Sequence, residues 1–432
     1  MDFSLFYKIP LTYLTQNYWR DEVFRVLMAK NSLSDIIRLT YNDGQPPLYY
    51  FFLKAWMFLF GDSEVATRTF SLVCFELLVF IFWKFLRKQV SGSFVSSKIG
   101  LLLLCFNPAL IYFAFEARVY MLFMLIVLLS NLYLWQKKYV LWCIAALIGL
   151  YTNNFMIFII PFQLFWIYSQ IRKKSVILHY MLWLLIGYLP WIGVFVHQSM
   201  LIKNDFWVAP VGFGTLENTI AGIYFAYEND PVSIRPLFFY LSLALLPIFL
   251  FGGRSKLVNF LQIGFWGPLI LILLISVFVR SIFLPRYLSF LIPTMIFLLT
   301  IFLSQLPKNI RLLFFSLALL LNIYVSALLY PFRLKPDIRS AVNFILADFH
   351  QEDVIYTTSL NFFETKYYFA KFAPKSYTDN ARIKIYSKTN QVPFFVGKVL
   401  IQDEDITNKI LPGKRIFTID QEAKVRNSTW YR

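Results

Sequence analysis

The sequence predicts a polytopic α-helical membrane protein of about ten membrane helices with a small α/β domain at its C-terminal end. Three observations predict it. The 432 residues are 58% hydrophobic with a mean hydropathy of +0.59, against about 45–50% apolar in a soluble globular chain. The excess falls in long runs, such as Tyr120–Trp135 (YMLFMLIVLLSNLYLW) and Leu288–Ser304 (LSFLIPTMIFLLTIFLS), and a membrane helix needs roughly 17–25 such residues. After Pro331 the composition changes to short β-branched runs and amphipathic stretches.

Residues 1–65 read as a first loop region. Residues 1–17 (MDFSLFYKIPLTYLTQN) are too short to span, are interrupted by Lys8 and Pro10, and lack the apolar core of a signal peptide. Apolar runs then predict membrane helices at 66–86, 98–114, 119–135, 139–152, 155–171, 175–196, 237–251, 257–278, 287–304 and 312–330. Between them lie basic clusters: Arg87-Lys88 with Lys98, Lys137-Lys138, Arg172-Lys173-Lys174, Arg254 with Lys256, and Lys308 with Arg311. With Arg87–Ser97 placed in the cytoplasm, threading the chain puts every one of these clusters inside, as the positive-inside rule requires. Segments 1–65, 115–118, 197–236, 279–286 and all that follows Pro331 then fall outside. Residues 66–332 are the transmembrane core and 333–432 an extracytoplasmic domain of a size that folds by itself. In that domain Asp337–Phe349 and Asn361–Phe372 read as helices. Asp353–Thr357, Arg382–Tyr386, Lys398–Gln402 and Arg415–Ile419 read as strands.

The net charge of +17 does not point to nucleic acid, because membrane topology accounts for the clusters that carry much of it. Cys74, Cys105 and Cys143 sit in apolar runs, as inert thiols do, and no CxxC or His/Cys spacing suggests zinc. His179, His197 and His350 are far apart and read as structural or exposed residues. No glycine-rich phosphate loop marks a nucleotide site. Asn427-Ser428-Thr429 matches a glycosylation sequon, a pattern short enough to arise by chance. A transporter or lipid flippase is an alternative reading, but it calls for polar residues at mid-membrane and repeat symmetry, and neither is visible. A non-catalytic membrane scaffold is the other alternative.

The chemistry-bearing stretches are "YWRDE" at 18–22, "YNDGQPPLYYFFLKAWMFLFGDSEVATR" at 41–68, "NPALIYFAFEARVYML" at 107–122 and "LPRYLSFLIP" at 284–293. In this order and spacing they resemble the GT-C membrane glycosyltransferases, the dolichyl-phosphate-mannose–protein mannosyltransferase-like superfamily and its bacterial relatives. The shared pattern is an aromatic before an Asp-Glu pair, a His-Pro-Pro-Leu-Tyr-Tyr-like stretch, Phe-Gly-Asp-Ser-Glu followed by Arg, and Glu-Ala-Arg-x-Tyr. It covers roughly the first 130 residues, and Arg286-Tyr287 extends it. Gln45 departs from it, standing where relatives often carry His. The resemblance implies a GT-C fold and transfer of a sugar from a polyprenyl-phosphate donor, on the outer side of the membrane, to a lipid, glycan or protein acceptor. It also implies a membrane helix before the acidic loop. This chain shows none there, so the natural start is expected upstream, or the chain is shortened at its N-terminus.

Glycosyl transfer from a lipid phosphate needs a base for the acceptor proton, cations for the departing phosphate and an apolar groove for the prenyl chain. The resemblance assigns the base to Asp21, the first acid of the pair. Adjacent residues do not share a direction in helix or strand, so Glu22 takes a separate role, holding a divalent metal or orienting Arg20 or Arg25. Arg118 and Arg286, each at an outer helix end, are candidates for binding the donor phosphate, since helix N-terminal amides favour an anion; anchoring at the membrane boundary is the alternative. Glu116 and Tyr120, four residues apart, are expected to share a helix face, with Glu116 orienting the neighbours of Arg118 or accepting the Tyr120 hydroxyl. Gln45, Pro46, Pro47, Tyr49 and Tyr50 shape and seat the loop, consecutive prolines fixing an extended approach. Trp207 lies in an outer loop that would contact donor or acceptor.

Overall fold

Helices begin inside the region expected to be loop. α1 (Leu5–Thr15), α2 (Arg20–Lys30), α3 (Leu33–Tyr41) and α4 (Leu48–Phe60) fill most of residues 1–65. The computed structural model describes residues 4–89, 94–204, 206–225, 233–251, 255–350, 352–375, 382–410 and 415–428. Arg254 of the basic clusters and Thr429 of the sequon lie outside the described residues.

The apolar runs are helices where the hydropathy predicts them: α5 (Glu64–Gln89), α6 (Phe94–Cys105), α7 (Pro108–Ala114), α8 (Tyr120–Trp135), α9 (Tyr139–Thr152), α10 (Met156–Ile171) and α11 (Lys174–Asn204). They continue, after α12 (Phe213–Gly222), as α13 (Arg235–Phe251), α14 (Lys256–Phe278), α15 (Ile292–Gln305) and α16 (Lys308–Leu329). Five stretches of described helix are long and apolar enough to cross a membrane, or six if α6 and α7 count as one bent span. α8, α9 and α10 have only 16, 14 and 16 residues. At about 1.5 Å per residue they fall short of a hydrocarbon core of about 30 Å.

The run at 98–114 is not one helix. It bends by 59° between Cys105 and Pro108. Pro108 has no N–H for the preceding turn, and the buried Asn107 side chain accepts from Ala109 N (3.1 Å) and Leu110 N (3.0 Å), starting a new helix. Residues 287–291 also depart from the expected helix: Pro285–Leu291 is a 3-10 turn that leads into α15 and carries Arg286.

Beyond α16 the chain forms α17 (Ile338–Leu346), β1 (Val354–Thr357), α18 (Phe362–Phe372), β2 (Arg382–Tyr386), β3 (Ile406–Thr407), β4 (Ile416–Ile419) and β5 (Val425–Ser428). The sheet order is β3-β2-β1-β4-β5, parallel except for the β4–β5 pair. The strand expected at 398–402 is absent. Phe394–Val396 and Lys398–Leu400 are 3-10 turns, joined at Gly397 with φ of +89°. The β-branched residues there serve tertiary contact, not a ladder.

A buried acid helps to dock the sheet domain on the membrane core. Glu64, at the start of α5, accepts from the Tyr368 hydroxyl (2.7 Å) and from Arg339 (2.6 Å). The Tyr368 hydroxyl also accepts from Tyr18 N (2.8 Å). Phe24 of α2 packs on Phe363 of α18, ring centroids 5.7 Å apart. α2 is thereby held between the two parts of the molecule.

Candidate active site

Trp19, with extended backbone, precedes α2, and its N–H donates to Glu22 Oε2 (3.4 Å). Asp21 and Glu22 fall in the first turn, where carboxylates complement the helix dipole. One residue of helix is a rotation of about 100°, and the two acids enter different surroundings.

Asp21 lines a partly open cavity of about 140 Å³ where α2, the α9–α10 junction and the starts of α8 and α15 meet. Arg118 Nη2 lies 2.8 Å from Asp21 Oδ2, Arg286 Nη1 3.7 Å from the same oxygen, and Arg20 Nε 3.1 Å from Oδ1. The Asp21 side chain is 17% exposed and that of Arg118 only 4%. Burial pushes the Asp21 carboxyl up, but Arg118, Arg20 and Arg286 outweigh it and hold the group far below the usual carboxylate range. Arg118 is itself fixed by aromatics. Its Nη2 donates to the Tyr120 hydroxyl (2.8 Å), and its guanidinium lies over the Trp19 ring at 5.0 Å and the Tyr120 ring at 4.7 Å. Arg286 lies over Trp207 at 5.0 Å. Residues 118, 286 and 207, far apart in sequence, thus converge on Asp21.

Glu22 does not line this cavity. It is fully buried, and Arg68 grips it with two bonds, Nε to Oε1 at 2.8 Å and Nη2 to Oε2 at 2.7 Å. Lys335 Nζ is 3.1 Å from Oε2, and Ala117 N donates to Oε1 at 3.0 Å. Burial raises its pKa, but Arg68 and Lys335 prevail and keep the carboxyl low. The expectation that Glu22 orients Arg20 or Arg25 is corrected: its cations are Arg68 and Lys335. A divalent metal on Glu22 would have to displace both, and among the described residues no three His, Cys, Asp or Glu side chains converge on one point. Glu116 shares Lys335, Oε1 at 3.2 Å, and stands 3.8 Å from Arg118. It couples the Glu22 cluster to the cavity.

Pro46 and Pro47 are buried, and Pro47 caps α4. Tyr49 is buried behind them, its ring 5.9 Å from that of Tyr50. Gln45 faces the cavity. Gln198, also buried, donates from Nε2 to Thr40 O (2.7 Å) and ties this loop to α11.

The sequence reading missed several cavity residues. Arg25 and Asp43 line it as a pair 3.5 Å apart, and both engage the Tyr50 hydroxyl, which donates to Asp43 at 2.7 Å. Arg25 was expected only beside Glu22, and Asp43 stood in the YNDGQPP stretch with no role assigned. Asn153 and Asn154, between α9 and α10, also line it, as do Phe394, Phe395 and Gly397 from the sheet domain. Lys335, just past the last apolar run, has no local motif.

No family model matches the sequence, and no curated protein matches it either. Solved structures do match. The crystal structure of ArnT from Cupriavidus metallidurans in the apo state aligns over 96% of this chain and 91% of that one, with 13% identity and a TM-score of 0.62. ArnT from the same organism bound to undecaprenyl phosphate aligns over 96% and 92%, with 12% identity and a TM-score of 0.63. The likeness is one of fold. The architecture is that of the ArnT structures, a largely helical fold with apolar candidate spans and a small terminal sheet, as the ordered motifs led us to expect.

Proposed function

We propose that the protein is a glycosyltransferase that moves a sugar from a polyprenyl-phosphate donor to a lipid, glycan or protein acceptor on the extracytoplasmic face of the membrane. The observation that carries this reading is the convergence of Arg118 and Arg286 on Asp21 inside a cavity at the ends of membrane helices. The ArnT structure that holds undecaprenyl phosphate supports the donor class, since it shares the fold. The basic clusters support the orientation, with the cavity and the sheet domain outside.

In this reading Asp21 is the base and Arg118 with Arg286 is the phosphate clamp. A carboxylate held as low as Asp21 is a weak base while the arginines stay on it. A donor phosphate entering between Arg118 and Arg286 competes for those cations and loosens Asp21, which then regains basicity beside the acceptor. The acceptor hydroxyl gives its proton to Asp21, and its oxygen bonds to the anomeric carbon. The bond from that carbon to the phosphate oxygen breaks, and the electron pair leaves on the polyprenyl phosphate, whose charge the arginines hold. Glu22 is a positioning residue, anchoring the start of α2 through Arg68, which also donates to Leu14 O and Asn17 O.

The test is sugar transfer in proteoliposomes from a polyprenyl-phosphate sugar, beside binding of undecaprenyl phosphate. Wild type binds and transfers, and the Arg118→Ala, Arg286→Ala double variant does neither. A wild-type protein that binds no polyprenyl phosphate overturns the reading.

A further inference from the structure

The sheet domain reaches into the cavity with one uncharged strap. Phe394–Val396 form a 3-10 turn, and the turn ends at Gly397 in the left-handed region. A Cβ on Gly397 would lie 2.7 Å from Phe24 Cδ2 and 2.8 Å from Phe363 Cε2, so only glycine seats the strap against α2 and α18. Val396 is buried, while Phe394 and Phe395 are half-buried and line the cavity that holds Asp21. In the same cavity two amide oxygens, Gln45 Oε1 and Asn154 Oδ1, are buried and accept no hydrogen bond within the chain. Buried acceptors without donors are costly and call for a partner.

Aromatic surface and unfilled acceptors together describe a ligand with an apolar C–H face and hydroxyl donors at its rim, which is the chemistry of a sugar ring. An anionic headgroup would ask the strap for cations, and residues 394–397 (FFVG) carry none. A peptide would ask for backbone donors as much as acceptors. We propose that the acceptor is a saccharide, its ring resting on Phe394 and Phe395 and its hydroxyls donating to Gln45 Oε1 and Asn154 Oδ1. This rests on the glycosyl-transfer reading of Asp21. It gives the sheet domain a task in recognition: the membrane helices supply the phosphate clamp and the domain supplies the acceptor wall.

The experiment places p-benzoylphenylalanine at position 395 of the full chain in its own membranes, irradiates, and reads the adduct by mass spectrometry. The expected adduct carries saccharide units that are not part of a polyprenyl-monophosphate sugar. Gln45→Leu should lower its yield about fivefold, the loss of one hydrogen bond. Undecaprenyl phosphate binding, measured on the same variants as the probe of the clamp, should stay at the wild-type value. An adduct of polyprenyl monophosphate, an adduct of a peptide, or no adduct overturns the proposal. A wild type that gives the saccharide adduct but binds no undecaprenyl phosphate would overturn the transfer reading, leaving the strap as a saccharide wall without an acceptor role.

Discussion

Two carboxylates one residue apart live in regions that differ in one respect, room to exchange partners. Around Glu22 the charges are locked. Arg68 and Lys335 fill its lone pairs, a backbone N–H adds a further bond, and the side chain has no exposure. Around Asp21 the charge balance is as complete, yet the arginines come from separate segments and face a cavity. Buried ion pairs of the first kind fix geometry and are costly to break. Pairs of the second kind can be traded for a ligand of the same charge. Adjacency in the chain therefore says little about adjacency in role, and a rotation of about 100° along a helix separates lock from site.

The sharpest way to break that comparison is to neutralise each acid in turn. Asp21→Asn should lower transfer by about 10²–10⁴, the usual cost of a lost general base. It should melt below wild type, but by less than the Glu22 variant, because the arginines it frees face a cavity that solvent can enter. Because the substitution removes the chain's own competitor for Arg118, undecaprenyl phosphate binding should be retained or tightened. Glu22→Gln and Arg68→Met should cost more stability, about 3–5 kcal/mol, by leaving one buried charge unpaired. Equal melting losses in the two acid variants would erase the distinction between lock and site.

A smaller effect sharpens the Asp21 side. Arg118→Ala removes a charge-assisted donor worth about 1.5–3 kcal/mol, so undecaprenyl phosphate should bind about 10- to 100-fold more weakly. Arg118→Lys should recover part of this and no more, because a lysine keeps the charge but loses the planar fork and its stacking on Trp19 and Tyr120. Binding by Arg118→Ala that matches wild type would move the phosphate elsewhere.

What the sequence made legible follows from range. Hydropathy acts over one helix length, so the ten apolar runs and the small sheet domain could be placed from local pattern. The Asn107-Pro108 break was equally local, yet the surrounding hydropathy hid it. The ordered motifs pointed at Asp21, Arg118 and Arg286, and they also contain Glu22 and Arg68, but nothing in them says that these two pair. Lys335 meets Glu22 across 313 positions, and the aromatic strap at 394–397 meets Phe24 from the far end of the chain. The failed strand at 398–402 belongs to the same class: its β-branched residues satisfy a strand pattern locally, but Gly397 and its seat on Phe24 decide the backbone.

The last comparison sets Asp21 against a third acid nearby, Glu364 on α18, and the expected effect is a change of slope. Glu364 is 5% exposed, and its Oε2 makes no hydrogen bond within the chain. Burial pushes its carboxyl up to about 8 from the usual 4.5, with Arg20 opposing and Asp21 adding to the rise. The folded chain therefore keeps a proton between about pH 4.5 and pH 8 that the unfolded chain has released. Stability rises with pH only where the unfolded state binds more protons, so here it falls as pH climbs through that window. Asp21 contributes no such slope there, because its arginines keep it ionised throughout. Glu364→Gln keeps the shape of the protonated acid and removes the titration. At pH 5 the variant and wild type should melt together in detergent. By pH 8 the wild type should melt lower than the variant, whose midpoint should be flatter with pH. Parallel curves for the two proteins across that range would mean that Glu364 is charged in its pocket and that Arg20 holds it as firmly as the arginines hold Asp21.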